Sequence, residues 1–283
     1  MSWVVRGIVV AALFAFADMS VFAAEQVGEA VLIKTTVTGD RGTLATRSPV
    51  HRDERIRTSS SGLGEFVFRD GTKFAVGGNS SVVIDKFVFA GSDSVKSLTI
   101  NAAKGSFRWI SGGSQSSAYK IQTPAGTIGI RGTALDIFVG AGGKTAVVLL
   151  SGQARFCGGN GCQELKRRCD VVVATPGGGV TPPERVDTGI FRDLGTPRAL
   201  PFISGHQRLS GRFRVGSGCQ LAASLQRSQS PAPQNQTAPS APNPPDPPDP
   251  VDPPDQPSPK QGNNGKGNGG DDGSPNDRGD SDR

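Results

Sequence analysis

Glu65-Phe66-Val67-Phe68-Arg69-Asp70-Gly71-Thr72-Lys73-Phe74-Ala75-Val76 decides the fold class of this 283-residue chain. Two runs of alternating apolar and polar residues flank Asp70-Gly71, a dipeptide that closes β-hairpins because it tolerates positive φ. Side chains alternate between faces along a strand, so Phe66, Phe68, Phe74 and Val76 line one side. The pattern predicts a hairpin with a type I′ turn at Asp70-Gly71 and those four side chains in a core.

Outward from the hairpin the same period recurs. Strands are predicted over 82–89, 96–101, 106–110, 119–123, 127–130, 134–139, 145–150, 153–157 and 170–174, separated by Gly-, Ser- and Asn-rich turns. Gly, Thr, Ser and Val dominate, and no long stretch carries apolar residues at helical spacing. Many short strands at this spacing imply an all-β sandwich, barrel or β-roll.

The two ends have a different character. Arg6 precedes an apolar run from Gly7 to Ala17, Asp18 ends it, and Val21-Phe22-Ala23 supplies the small residues of a cleavage site. Such a leader at 1–23 describes a secretory signal, and the run falls short of the ~20 residues that span a bilayer. No Cys follows that would carry a lipid, and no other segment is long enough to cross a membrane. From 228 to 283 the chain is Pro-, Asp- and Gly-rich, with Val251 its sole large aliphatic residue after Pro231. A segment so poor in apolar surface is expected to stay disordered, its Pro-rich half extended. The reading is therefore a signal at 1–23, a β domain at 24–175, an irregular extension docked on it at 176–227, and a disordered tail.

Charge divides along the same boundary. Residues 24–230 hold 26 Lys or Arg against 15 Asp or Glu, net +11, while 231–283 hold nine Asp against four Lys or Arg. A basic domain outside the cytoplasm would meet an acidic envelope glycan or an acidic protein. Aromatic residues do not interleave with arginines, so nucleic acid is not the expected partner.

Four cysteines, Cys157, Cys162, Cys169 and Cys219, suit an oxidising compartment and allow three pairings. Cys157 and Cys162 flank a Gly-Gly-Asn-Gly loop that would bring them together, leaving Cys169 to pair with Cys219. That longer loop would contribute on the order of 3–4 kcal/mol. No C-x₂-C spacing suggests zinc. His51 and His206 stand in unlike contexts, and Gly143-Lys144-Thr145 lacks the first glycine of a phosphate loop, which would fall at Phe138. No G-x-S-x-G elbow and no carboxylate pair stand out. Neither catalysis nor a cofactor or metal is expected.

Eight segments in order then resemble the FecR domain family: Val27-Gly28-Glu29-Ala30, Asp53 to Thr58, Phe66 to Val76, Asn79 to Ile84, Lys104 to Trp109, Thr123-Pro124-Ala125-Gly126, Ile130-Arg131-Gly132-Thr133-Ala134, and Ser151 to Ala154. The segments from Thr123 to Ala134 are similar to the family's most specific signature. The resemblance implies a β-rich extracytoplasmic module of the kind found in regulators that pass iron-siderophore signals to an anti-sigma mechanism. Those regulators carry a cytoplasmic segment, and here five residues precede Arg6. Fold and compartment, periplasmic or secreted, are therefore expected to carry over, and sigma control is not. Within the signature, Arg131 lies among Ile128, Ile130 and Leu135, and is expected to be a partly buried structural arginine with Asp136 or Asp70 as partner. The expected function is a non-catalytic binding or scaffolding module; the alternative is a periplasmic sensor working with a separate membrane or sigma-factor regulator.

Overall fold

A computed structural model describes residues 24–91, 94–216, 219 and 221; the leader at 1–23 and the tail at 228–283 lie outside them. The fold is all-β. Fifteen strands form one continuous sheet, folded over on itself. They are β1 (Gln26–Lys34), β2 (Val37–Gly39), β3 (Gly42–Thr43), β4 (Pro49–His51), β5 (Arg55–Thr58), β6 (Leu63–Phe68), β7 (Lys73–Val76), β8 (Ser81–Phe89), β9 (Val95–Ile110), β10 (Tyr119–Thr123), β11 (Gly126–Val139), β12 (Thr145–Gly158), β13 (Gly161–Leu165), β14 (Asp170–Ala174) and β15 (Glu184–Arg185).

Three of these strands are longer than the sequence predicts. The segments at 96–101 and 106–110 are one strand, β9, as are 127–130 with 134–139 in β11 and 145–150 with 153–157 in β12. The glycines between them bend the strand without ending it. Gly105, Gly132 and Gly152 have φ of 108°, 60° and 76°, where a side chain is disfavoured. At Gly105 a Cβ would also sit 2.4 Å from the Ser80 Cα.

The bends divide the sheet into two layers. The first runs β4-β1-β6-β7, then the C-terminal halves of β9 and β11, the N-terminal half of β12, β14 and β15. The second runs β3-β2-β5-β8, the N-terminal half of β9, β10, the N-terminal half of β11, the C-terminal half of β12, and β13. Only β9–β10 is parallel. Between the layers lies one apolar core holding Phe66, Phe68, Phe74, Phe107 and Trp109 from the first layer, and Ile56, Phe87, Ile100, Ile121 and Phe156 from the second. Phe68 meets Phe87 edge-on across it at 5.7 Å.

Phe66, Phe68, Phe74 and Val76 all point into this core, as the alternation requires. The turn between them differs from the expected type I′. Only Gly71 has positive φ, at 80°. The Phe68 N–H bonds the Thr72 carbonyl at 2.8 Å and the Gly71 N–H bonds Phe68 at 2.9 Å, giving a three-residue loop, Arg69 to Gly71. Asp70 keeps negative φ because its side chain turns inward, as the site geometry shows.

After β14 the chain crosses the outside of the first layer, with short helices α1 (Ile190–Asp193) and α2 (Pro201–Ser204). Val186, Ile190, Phe191, Leu200 and Ile203 pack on Ala134, Phe138, Ala146 and Val148, and Leu209 and Phe213 pack on Leu63 and Ala75. Cys157 is bonded to Cys162 across the β12–β13 hairpin, and Cys169 to Cys219 at the far end of the crossing segment.

Candidate functional surfaces

The two layers each turn one face outward, and strand register specifies what each face carries. In the first layer, Leu32, Glu65, Ala75, Arg108, Asp136, Val148 and Val171 stand side by side in one row across the strands. Each neighbours an inward-facing residue of the core, so the whole row faces out. The crossing segment covers it. Glu65 is fully buried, and Arg108 and Asp136 are nearly so.

These buried charges are satisfied. Arg108 Nε and Nη2 each donate to an Asp136 carboxylate oxygen at 2.6 Å, a bidentate pair, and Nη1 donates to the Phe213 carbonyl at 3.2 Å. Burial pushes the Asp136 carboxyl above its ordinary value, against the charge and hydrogen bonds of Arg108, which pull it down. Glu65 accepts from the Ser210 N–H at 2.7 Å and from the Ser210 hydroxyl.

In the second layer, Lys86, Thr99, Lys120, Gly129, Arg155 and Glu164 form the corresponding outward row, with Arg131 and Gln153 paired beside it. Lys86, Lys120, Arg131 and Arg155 are exposed, and Thr99 is buried among them. A parallel row carries Asn101, Gln122 and Thr127. Glu164 is ion-paired with Lys166 at 2.7 Å. Its carboxyl is held below the ordinary range by Lys166 first and by Arg155 and Arg131 after it. The face is polar and cationic.

The residues of the sequence signature fall between these surfaces. Asp70 accepts from the Thr72 N–H and hydroxyl at 3.0 Å each, from Ser114 at 3.1 Å, and from the Tyr119 hydroxyl at 2.7 Å. It therefore ties the hairpin to the start of β10, which sits next to Trp109 at 5.4 Å between ring centres. Burial raises the Tyr119 phenol above its ordinary value; hydrogen bonds from Thr72 and Ser114 lower it, and Asp70 raises it further. Thr133, also buried, takes the Arg131 N–H and donates to the Gln153 carbonyl, locking the Gly132 and Gly152 bends together. Thr123 donates to the Gly126 carbonyl at 3.1 Å across the turn made by Pro124 and Ala125.

Arg131 does not occupy the expected place. It is exposed on the open face, and Asp136 and Asp70 have other partners. The reason is parity: Ile128 and Ile130 point into the core, so Arg131 must point out. The buried arginine is Arg108, whose position between Phe107 and Trp109 gave the same parity but no hint that a covering segment would bury it.

Among the described residues, no three His, Cys, Asp or Glu side chains come together as metal ligands, and all four cysteines are in disulfides. No helix of the described residues is long and apolar enough to cross a membrane. A cleft of about 790 Å³ lies beside the crossing segment, lined by Ser60, Asn79, Lys104, Arg198, His206 and Gln207 among others.

Two crystal structures of a protein from Parabacteroides distasonis ATCC 8503, provisionally assigned as an anti-sigma factor, share 11% identity with this chain. The match covers 48% of this chain and 61% of that one, with TM-scores of 0.39 and 0.36, so the chain spans less than two thirds of that protein and the overlap carries no argument. No curated protein sequence matches. The family model described as FecR protein matches residues 54–155. That span takes in the hairpin, β9, β11, most of β12 and the outward residues from Glu65 to Arg155, and this part of the chain is similar to FecR domains.

Proposed function

We propose that this FecR-like domain is a non-catalytic binding module of the periplasm or cell surface, and that its open basic face holds an acidic partner, envelope glycan in the first place. The supporting observation is the outward row of Lys86, Lys120 and Arg155 with Arg131 beside it, all four exposed. Repeated cations on a rigid sheet concentrate a polyanion without needing a deep pocket. Two disulfides suit an oxidising compartment. Pairs this exposed are screened over a Debye length of about 8 Å at physiological salt, so binding of this kind weakens as salt rises.

The test is retention of the purified chain on an immobilised acidic polysaccharide in a salt gradient. A Lys120→Glu/Arg131→Glu/Arg155→Glu chain is expected to elute at clearly lower salt with an unchanged melting temperature. Elution at the same salt would overturn the reading. A second reading, a periplasmic sensor that passes a cue to a separate membrane or sigma-factor regulator, is favoured by the FecR match itself. Cross-linking in cells separates the two: recovery of a membrane regulator supports the sensor, and recovery of glycan supports the module.

A further inference from the structure

Where the crossing segment meets the sheet, the cleft of about 790 Å³ is lined by Lys104, Arg198 and His206 and by no Asp or Glu. None of these three is ion-paired with a described residue. The Ser204 hydroxyl meets His206 Nδ1 at 2.8 Å, leaving Nε2 as the group this ring offers. A second cleft, about 610 Å³ beside the start of the segment, is different: Glu184, Asp187 and Asp193 there offset Lys144 and Arg185. The charge of the first cleft is left for something outside the fold to balance. Hydroxyls are left over in it as well. Ser106 is only 5% exposed, and strand parity turns it out of the core because Phe107 points in. It lines the cleft, and its hydroxyl bonds no described residue, so it is a buried polar group that a ligand can satisfy. Ser60 and Ser61 are the central residues of a turn closed by the Gly62 N–H on the Ser59 carbonyl at 3.0 Å. Their hydroxyls and N–H groups have no partner among the described residues. Phe138 and Pro201 add an apolar part to the lining. The walls are fixed by the fold. Gln207 donates to the Gly62 carbonyl at 2.9 Å and accepts from the Gly78 N–H at 3.3 Å, and Leu200 and Ile203 are buried in one cluster with Phe138.

We propose that this cleft binds a small acidic sugar. Lys104 and Arg198 hold its anionic group, Ser60, Ser61 and Ser106 bond its hydroxyls, and one face of its ring lies on Phe138 and Pro201. Cations gathered in a cleft without acids concentrate negative charge. Hydroxyls and turn N–H groups match the alternating donors and acceptors of a sugar, and a few such groups around an apolar floor fix a ligand's orientation. The size fits one or two sugar rings, since small-ligand pockets span roughly 300–1,000 Å³. The anionic group is a carboxylate or a phosphate, which the two cations serve alike and the experiment below tells apart. The site lies on the covered side of the sandwich, so the inference holds whether or not the basic face of the second layer binds polyanions.

The experiment is calorimetric titration of the full chain with glucuronic acid, glucose 1-phosphate and glucose. At least one of the two acids is expected to bind at least tenfold more tightly than glucose, and which one does so identifies the anionic group. Lys104 and Arg198 are exposed, so a Lys104→Ala/Arg198→Ala chain is expected to keep its melting temperature and lose at least tenfold in that affinity. Ser106→Ala removes a hydroxyl without adding bulk and is expected to cost at least fivefold. The Lys120→Glu/Arg131→Glu/Arg155→Glu chain, altered on the other face, is expected to bind the acid as the unaltered chain does. The proposal is overturned if neither acid binds tenfold more tightly than glucose, or if either cleft variant keeps full affinity. It is overturned too if the variant of the other face loses the binding.

Discussion

The two outer faces of the sandwich are built from the same three bent strands and end in opposite states. On the first layer the row Glu65, Ala75, Arg108, Asp136 is buried beneath a segment that follows the FecR-like domain. On the second, the row's charged residues, Lys86, Lys120 and Arg155, are left exposed. Charged residues sit on both. The difference is what surrounds them: Val148 in the first row and Ala134, Phe138 and Ala146 beside it supply apolar area that a covering segment can bury, whereas Asn101, Gln122 and Thr127 beside the second do not. An arginine on a strand is therefore structural or available according to its neighbours on the same face.

Arg108→Ala attacks the covered face and has the largest expected effect, a loss of about 3–5 kcal/mol, since it leaves Asp136 buried without its partner. Denaturant unfolding checks this. An Arg108→Met/Asp136→Leu chain is expected to recover most of the loss; failure to recover would show that the pair matters for more than mutual compensation.

Tyr119→Phe attacks the tie between the hairpin and β10. Removing its donor to Asp70 is expected to lower stability by about 1–3 kcal/mol. The same tyrosine predicts a pH dependence. Its phenol ionises above the ordinary value, so the folded state favours the protonated form. The stability this adds is complete below about pH 10, the ordinary tyrosine value, and is lost as pH rises through the folded value. Because Tyr119 is the only tyrosine in the chain, ultraviolet titration reads it directly. Ionisation at or below the ordinary value would contradict its burial, and Tyr119→Phe is expected to remove this alkaline contribution.

The smallest effect on stability belongs to the open face. Arg131→Ala and Arg155→Ala are each expected to shift stability by no more than about 0.5 kcal/mol, since exposed ion pairs contribute little. A larger loss in thermal unfolding for Arg131 would put it back among the structural arginines and blur the contrast between the faces.

The hairpin was legible in the sequence because Phe66, Phe68, Phe74 and Val76 alternate without interruption. Its turn was misread because Asp70-Gly71 fits two loop lengths, and the choice depended on Ser114 and Tyr119, more than 40 residues away. The three long strands were split at Gly105, Gly132 and Gly152 because a glycine that bends a strand and one that ends it look alike locally; pairing on both sides of the bend tells them apart. Asp136 was read as a possible partner for an arginine, and the pair exists, with Arg108 in place of Arg131. Strand parity was available for both arginines and already pointed Arg131 outward.

What the amino-acid sequence determined by itself is the β class and the inward side of the hairpin strands, because period-two alternation and turn chemistry are local properties. What only the tertiary structure decided is which outward row is covered and which is open. Burial of Glu65, and of Arg108 with its partner Asp136, depends on Ser210 and Phe213, brought back over the sheet from 145 and 105 residues away in sequence. No local pattern records that return, because its stabilisation comes from apolar area removed from water when two distant segments meet.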